Sequence, residues 1–160
     1  MKNLRRNMGS VSSGTLRSED LIDSFTYELR HQKPLSRQHR KMLREIERRI
    51  ASHQRLQRRH PEMENYFDTE DASEDVQELC DALECYALPG FYFGTHPGDG
   101  SDFGFWLSDS FVDDFDGLRV DDTSEIPRSY RGEVLHVNDH GNVTLYVATR
   151  GKLREVWGIV

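Results

Sequence analysis

The chain is predicted to be an α+β protein, with helices first and then one helix packed on an antiparallel sheet of about five strands. Three observations carry that expectation. Residues 71–86 keep a helical spacing of apolar positions. Residues 91–106 switch to an alternating aromatic pattern around a glycine-rich turn. Three apolar runs of period two then follow residue 131, separated by short turns.

Residues 1–17 read as a flexible basic tail, because no apolar stretch follows the early positive charge as a secretory signal would require. A helix is expected over about 19–31, with Ser18 as N-cap and acids in the first turn. Leu21, Ile22, Phe25 and Leu29 fall on one of its faces. Pro34 ends it. Ser36 caps a longer helix over about 37–59, which the His60-Pro61 step closes. Leu43, Ile46 and Ile50 form a narrow apolar stripe there, extended by His39 and His53. Arg37, Arg40, Lys41, Arg44, Arg48, Arg49, Arg55, Arg58 and Arg59 cover most of the rest. Together these helices read as a basic hairpin over 18–60, suited to a homo-oligomer contact or a second partner.

Residues 61–71, "PEMENYFDTED", read as an acidic linker, and 72–160 as the α+β domain. Its helix is expected to start at Asp71, with Glu74 three residues on as in a capping box. Val76, Leu79, Cys80, Leu83 and Tyr86 form the expected inner face, while Asp75, Glu78, Asp81 and Glu84 face away. Pro89-Gly90 stops it. "FYFG" and "FGFWL" flank the turn "THPGDGSD" and place Phe91, Phe93, Phe103 and Phe105 as an aromatic strand face. "SDSFVDDFDG" suggests a short helix capped by Ser108. "GEVLHVN", "VTLYVAT" and "LREVWGIV" are strands that continue the aromatic ribbon in one sheet.

Composition narrows the function classes. The 160 residues are 31% charged and 36% apolar, with a formal net charge of −7. No run of about 18 apolar residues exists, so no transmembrane helix is expected. Cys80 and Cys85, the only cysteines, are too far apart along one helix for a disulfide. Reduced thiols and a cytoplasmic location follow. Charge is sorted along the chain: residues 1–59 hold 15 Lys/Arg against 6 Asp/Glu. Residues 60–118 hold 16 Asp/Glu and no Lys or Arg, and residues 119–160 hold 6 of each. Such sorting marks a nucleic-acid arm, an acidic interaction surface, or a basic block folded back on an acidic one.

Several chemistries fail on residue type. The glycine-rich turn lacks the lysine and the following helix that a phosphate cradle needs. Asp99 to Asp102 lack the alternating oxygens and distal Glu of a calcium loop. Asp102-Phe103-Gly104 copies a kinase tripeptide without the rest of that signature. Two turns keep an alternative open. His96, Asp99 and Asp102 lie on one, and His136, Asp139 and His140 lead into another. If the turns adjoin, they suit a divalent transition metal or an Asp-oriented His base, and hence a metal-dependent enzyme. If not, these residues are turn formers.

The leading functional expectation is a non-enzymatic protein-interaction protein without a cofactor. Asp75, Glu78, Asp81, Glu84, Tyr92 and Trp106 would meet a protein partner. The other reading is nucleic-acid binding through Arg37, Arg40, Lys41, Arg44 and Arg48, with an affinity that falls with salt.

Two blocks, "YFGTHPGDGSDFGFWLS" and "GEVLHVNDHGNVTLYVATRGKLREVW", resemble a set of small uncharacterised bacterial and bacteriophage proteins. The resemblance covers about residues 76–160 and is most specific in the phrases HPGDG and VNDHGN. It implies a small accessory or phage-encoded protein in the bacterial cytoplasm. It implies no activity.

Overall fold

The computed structural model describes residues 7–159. Their elements run β1 (Gly9–Ser12), α1 (Ser18–His31), α2 (Arg37–Gln57), α3 (Glu70–Glu84), β2 (Phe91–His96) and β3 (Asp99–Leu107). α4 (Asp109–Asp113), β4 (Leu118–Val120), β5 (Gly132–Val137), β6 (Val143–Thr149) and β7 (Lys152–Ile159) follow. Short 3₁₀ turns lie at Tyr66–Asp68 and Thr123–Glu125. The class is α+β. The single sheet of about five strands is corrected to two sheets, ordered β1-β3-β2 and β4-β5-β6-β7. The chain divides after residue 107 into two compact units.

Asn7–Leu107 sets helices against the three-stranded sheet. The β2–β3 hairpin forms where the alternating aromatics placed it, with Phe93 opposite Phe105. It does not continue the C-terminal meander. Its third strand is β1, drawn from the stretch expected to be a flexible tail, of which residues 1–6 lie outside the described residues. Gly9 pairs with Phe105 and Ser10 with Gly104. Glycine at 104 permits that approach, because a Cβ there would run into the Gly9 carbonyl oxygen. The Ser10 hydroxyl donates to Asp102 at 2.6 Å, and the Gly14 N–H to the Ser101 carbonyl at 3.2 Å.

Both α1 and α3 supply apolar side chains to this unit. Leu21, Ile22, Phe25 and Leu29 of α1 are all buried. Phe25 meets Phe93 edge-on at 5.1 Å and Phe103 at 5.4 Å between ring centroids. α1 packs chiefly against α3 and only lightly against α2, so the expected separate helical hairpin is instead part of this core. The expected linker is also structured: Tyr66 is 2% exposed, and Thr69 is the N-cap of α3. Thr69 Oγ1 accepts from the Ala72 N–H at 3.4 Å and takes the place of the expected Asp71–Glu74 cap. At the start of α1 the N-cap is Arg17, and Ser18 is already helical. Ser36 caps α2 as expected, accepting from the His39 N–H at 3.0 Å.

Residues 108–159 contain the antiparallel β5-β6-β7 meander at the predicted positions. The unpredicted β4 runs parallel to β5 and sets Leu118 opposite Val134. Val120, Val134 and Ala148 cluster together, with Ile126 and Tyr130 packed on them. Leu135, Leu145 and Trp157 are buried in register with one another. Phe111 of α4 approaches Trp157 at 6.1 Å between centroids. Val134 and Leu135 are neighbours on opposite faces of β5 and both are fully buried, so the sheet is apolar on both sides.

Candidate nucleic-acid interface

α2 is amphipathic with an unusual outer face. At about 100° of rotation per residue, Arg37, Arg40, Lys41, Arg44, Arg48 and Arg55 share an arc of about 100°. The opposite side carries His39, Met42, Leu43, Ile46, Ile50 and His53, of which Leu43 and Ile46 are buried. Every cation of the arc is exposed. Arg37, Lys41, Arg44 and Arg48, with Gln38, also line a shallow hollow along the helix.

The inner side is anchored at four places. The Ser36 N–H donates to the Tyr86 hydroxyl at 3.2 Å, and His39 Nδ1 shares a hydrogen bond with the same oxygen at 2.9 Å. In the middle, Arg49 bonds Asp75 and reaches Glu78 at 3.1 Å. His53 Nε2 lies 2.9 Å from the Glu64 carbonyl, and Gln57 donates to the Met63 carbonyl at 3.3 Å. With its back fastened, the helix presents a fixed outer stripe.

The two acids of α2 are already used. Glu45 pairs with Lys41 at 3.5 Å, and Glu47 pairs with Arg30 of α1. Among the described residues, Arg37, Arg40, Arg44, Arg48, Arg55 and the C-cap Arg58 have no acidic partner. A basic block neutralised by the acidic one is therefore realised mainly at Arg49.

The four α3 acids expected to meet a partner, Asp75, Glu78, Asp81 and Glu84, each accept a bond within their own unit. Asp75 corrects the expected outward face: it is 1% exposed and accepts from Tyr66 Oη at 2.5 Å as well as from Arg49. A residue so deep does not meet a partner surface. Burial would lower the Arg49 pKa, but its bonds and charge pairing with Asp75 and Glu78 raise it above the ordinary value. Burial, then Asp75, push the Tyr66 hydroxyl well above its usual range. Glu78 is held by Arg49, and Asp81 accepts from Gln77 at 2.8 Å. Glu84 takes the Phe93 N–H at 2.5 Å. That bond closes a donor of β2 that an added strand would need.

Tyr92 and Trp106 sit opposite each other in the hairpin. Their polar ends turn back on it, Tyr92 Oη to the Thr95 carbonyl at 3.1 Å and Trp106 Nε1 to the Gly94 carbonyl at 3.0 Å. The Trp106 and His96 rings also pack edge to face, 4.7 Å between centroids.

The two His/Asp turns belong to different units. In the first, His96 Nδ1 accepts from the Gly98 N–H at 3.0 Å. Asp99 Oδ1 accepts from the Ser101 hydroxyl at 2.7 Å and its N–H at 2.9 Å, which holds Asp99 below the usual carboxylate range. Asp102 receives Ser10. In the second, His136 Nε2 lies 3.0 Å from the Asp121 carbonyl. Asn138 Oδ1 accepts from the N–H groups of His140 and Asn142, each at 3.0 Å, while Asp139 is exposed. These bonds shape turns. Among the described residues, no group of three or more His, Cys, Asp or Glu side chains is placed to hold a metal ion.

Sequence reasoning missed the Arg49–Asp75–Tyr66 cluster as a unit. The adjacent aromatics Tyr66 and Phe67 in an otherwise acidic stretch were the available signal. Among the described residues no helix is long and apolar enough to cross a membrane. Comparison with protein-family models, curated protein sequences and solved structures finds no match to this chain.

Proposed function

We propose that the chain is a non-enzymatic nucleic-acid-binding protein that grips the phosphate backbone with the outer face of α2. The carrying observation is the stripe of Arg37, Arg40, Arg44, Arg48 and Arg55, exposed and without acidic partners, while of the two acids of the helix Glu45 pairs with Lys41 and Glu47 with Arg30. Like charges gathered on one face repel, and a polyanion relieves that repulsion while releasing its counterions. The net charge of −7 does not prevent it, because charges beyond about 8 Å are largely screened at physiological ionic strength. The reading through the acidic helix is weaker, since Asp75, Glu78, Asp81 and Glu84 each already accept a bond inside the protein. The resemblance noted in the sequence supplies the setting we attach to this reading, a bacterial or bacteriophage accessory protein working in the cytoplasm.

Gel shifts and fluorescence anisotropy with mixed-sequence nucleic acid test it. Binding at about 50 mM salt is expected, weakening by at least tenfold toward about 200 mM. Arg44→Glu with Arg48→Glu should abolish it. No binding at low salt, or binding untouched by that double variant, would overturn the proposal.

A further inference from the structure

We infer that the ligand of this face is duplex DNA, contacted through its backbone over about eight base pairs, and not a single strand. The inference rests on the nucleic-acid reading above and narrows it.

The first argument is what the stripe lacks. Proteins that bind single strands without sequence preference pair a cationic groove with aromatic side chains on which bases stack. α2 contains no Phe, Tyr or Trp. Its two histidines, His39 and His53, point inward to Tyr86 and Tyr66 at 5.4 and 5.3 Å between centroids. A single strand lying here would gain ion pairs alone and lose its conformational freedom without stacking in return.

The second argument is shape. Arg37 to Arg55 spans about 27 Å of helix at about 1.5 Å per residue. That length matches about eight base pairs at about 3.4 Å each. A rod of this length cannot follow one backbone strand as it winds, so it meets phosphates of both strands across a groove. Only a double helix offers phosphates in that fixed, repeating arrangement.

The third argument concerns what the arc can read. Between Arg37 and Arg55 its only uncharged member is Ala51, and the exposed amide and hydroxyl of Gln38 and Ser52 lie outside it, so cations far outnumber groups that could bond base edges or ribose hydroxyls. RNA duplexes are recognised largely through 2′-hydroxyl and phosphate contacts across the shallow minor groove. An arc dominated by cations suits B-form DNA, held independently of sequence.

The test uses the full chain and fluorescein-labelled probes of about 20 base pairs, longer than the expected site. The probes are a mixed-sequence DNA duplex, each of its single strands, and the RNA duplex of the same sequence. A duplex ladder from about 6 to 20 base pairs, and a salt series, complete it. The DNA duplex is expected to bind about tenfold tighter than either strand or the RNA, with affinity rising steeply up to about eight base pairs. The slope of log affinity against log salt should be about −4 to −5, and shallower by about 1 in each of Arg44→Gln and Arg48→Gln. Both side chains are exposed and unpaired, so circular dichroism should show the variants folded as the parent. A single strand or RNA duplex held as tightly, with the same loss in the double charge reversal, would overturn this inference and leave the nucleic-acid reading standing. Failure of every probe to bind would overturn both.

Discussion

The Tyr66 hydroxyl donates to Asp75 Oδ2 at 2.5 Å, and Arg49 holds the other carboxylate oxygen. A 3₁₀ turn, α3 and α2 are joined through one carboxylate that is 1% exposed. The cost of breaking the cluster depends on which member goes. Tyr66→Phe leaves a charged acceptor short of one bond and should cost about 2 kcal/mol. Asp75→Ala leaves the buried hydroxyl without a partner and leaves Arg49 with Glu78 alone, at about 3 kcal/mol. Arg49→Met should cost about 2 kcal/mol, less than a wholly buried pair, because its side chain is 40% exposed and partly solvated. Urea denaturation midpoints of the three variants check the order.

The same cluster sets a dependence on alkaline pH. Burial and Asp75 raise the folded pKa of Tyr66 above its ordinary value of 10.0. Above that pH the unfolded chain releases the phenol proton while the folded chain keeps it. The folded state then binds more protons, so stability falls as pH rises. Tyr66→Phe should flatten that part of the stability curve above pH 10.0, where the parent slopes downward.

Cys80 and Cys85 should separate in labelling. Burial, then the charge of Asp81, push the Cys80 thiol up to about 11, so its thiolate is scarce near neutrality. Cys85 is exposed. Iodoacetamide near neutral pH should modify Cys85 first, with Cys80 slower by at least tenfold, as mass spectrometry of peptides would show. Equal rates would contradict the packing of α3.

Gly104→Ala tests β1. The added methyl would meet the Gly9 carbonyl, and β1, an edge strand of four residues, is the partner that can yield. Amide exchange over residues 9–12 should accelerate strongly while β2 and β3 keep their protection. Unchanged exchange at residues 9–12 would show that β1 is held by more than its ladder.

How far the sequence could be read depended on where apolar side chains stood. Phe91, Phe93 and Phe105 placed the hairpin, and Leu79 and Leu83 placed α3, because each puts a large side chain at the period of its element. β1 was missed because "GSVS" has almost nothing apolar and borrows its stability from β3. β4 has three residues, too few to show a period. Asp75 misled because a carboxylate at a core position of α3 reads as solvent-facing until its partners Tyr66 and Arg49 are known, and those lie 9 and 26 residues away. The α2 cations were visible as residues. What the sequence withheld was that Glu45 and Glu47 are occupied, which leaves the guanidinium groups of the outer stripe unpaired.

The pairing of Gly9 with Phe105 has a consequence for synthesis. β1 leaves the ribosome before its hydrogen-bonding partner, which emerges nearly a hundred residues later. At about 5–20 residues per second, that strand waits between roughly 5 and 20 seconds with its backbone bonded only to water. Its small, polar side chains make the delay harmless: a nascent "GSVS" offers no sticky surface to neighbouring chains or chaperones while the aromatic hairpin that will receive it is still being made.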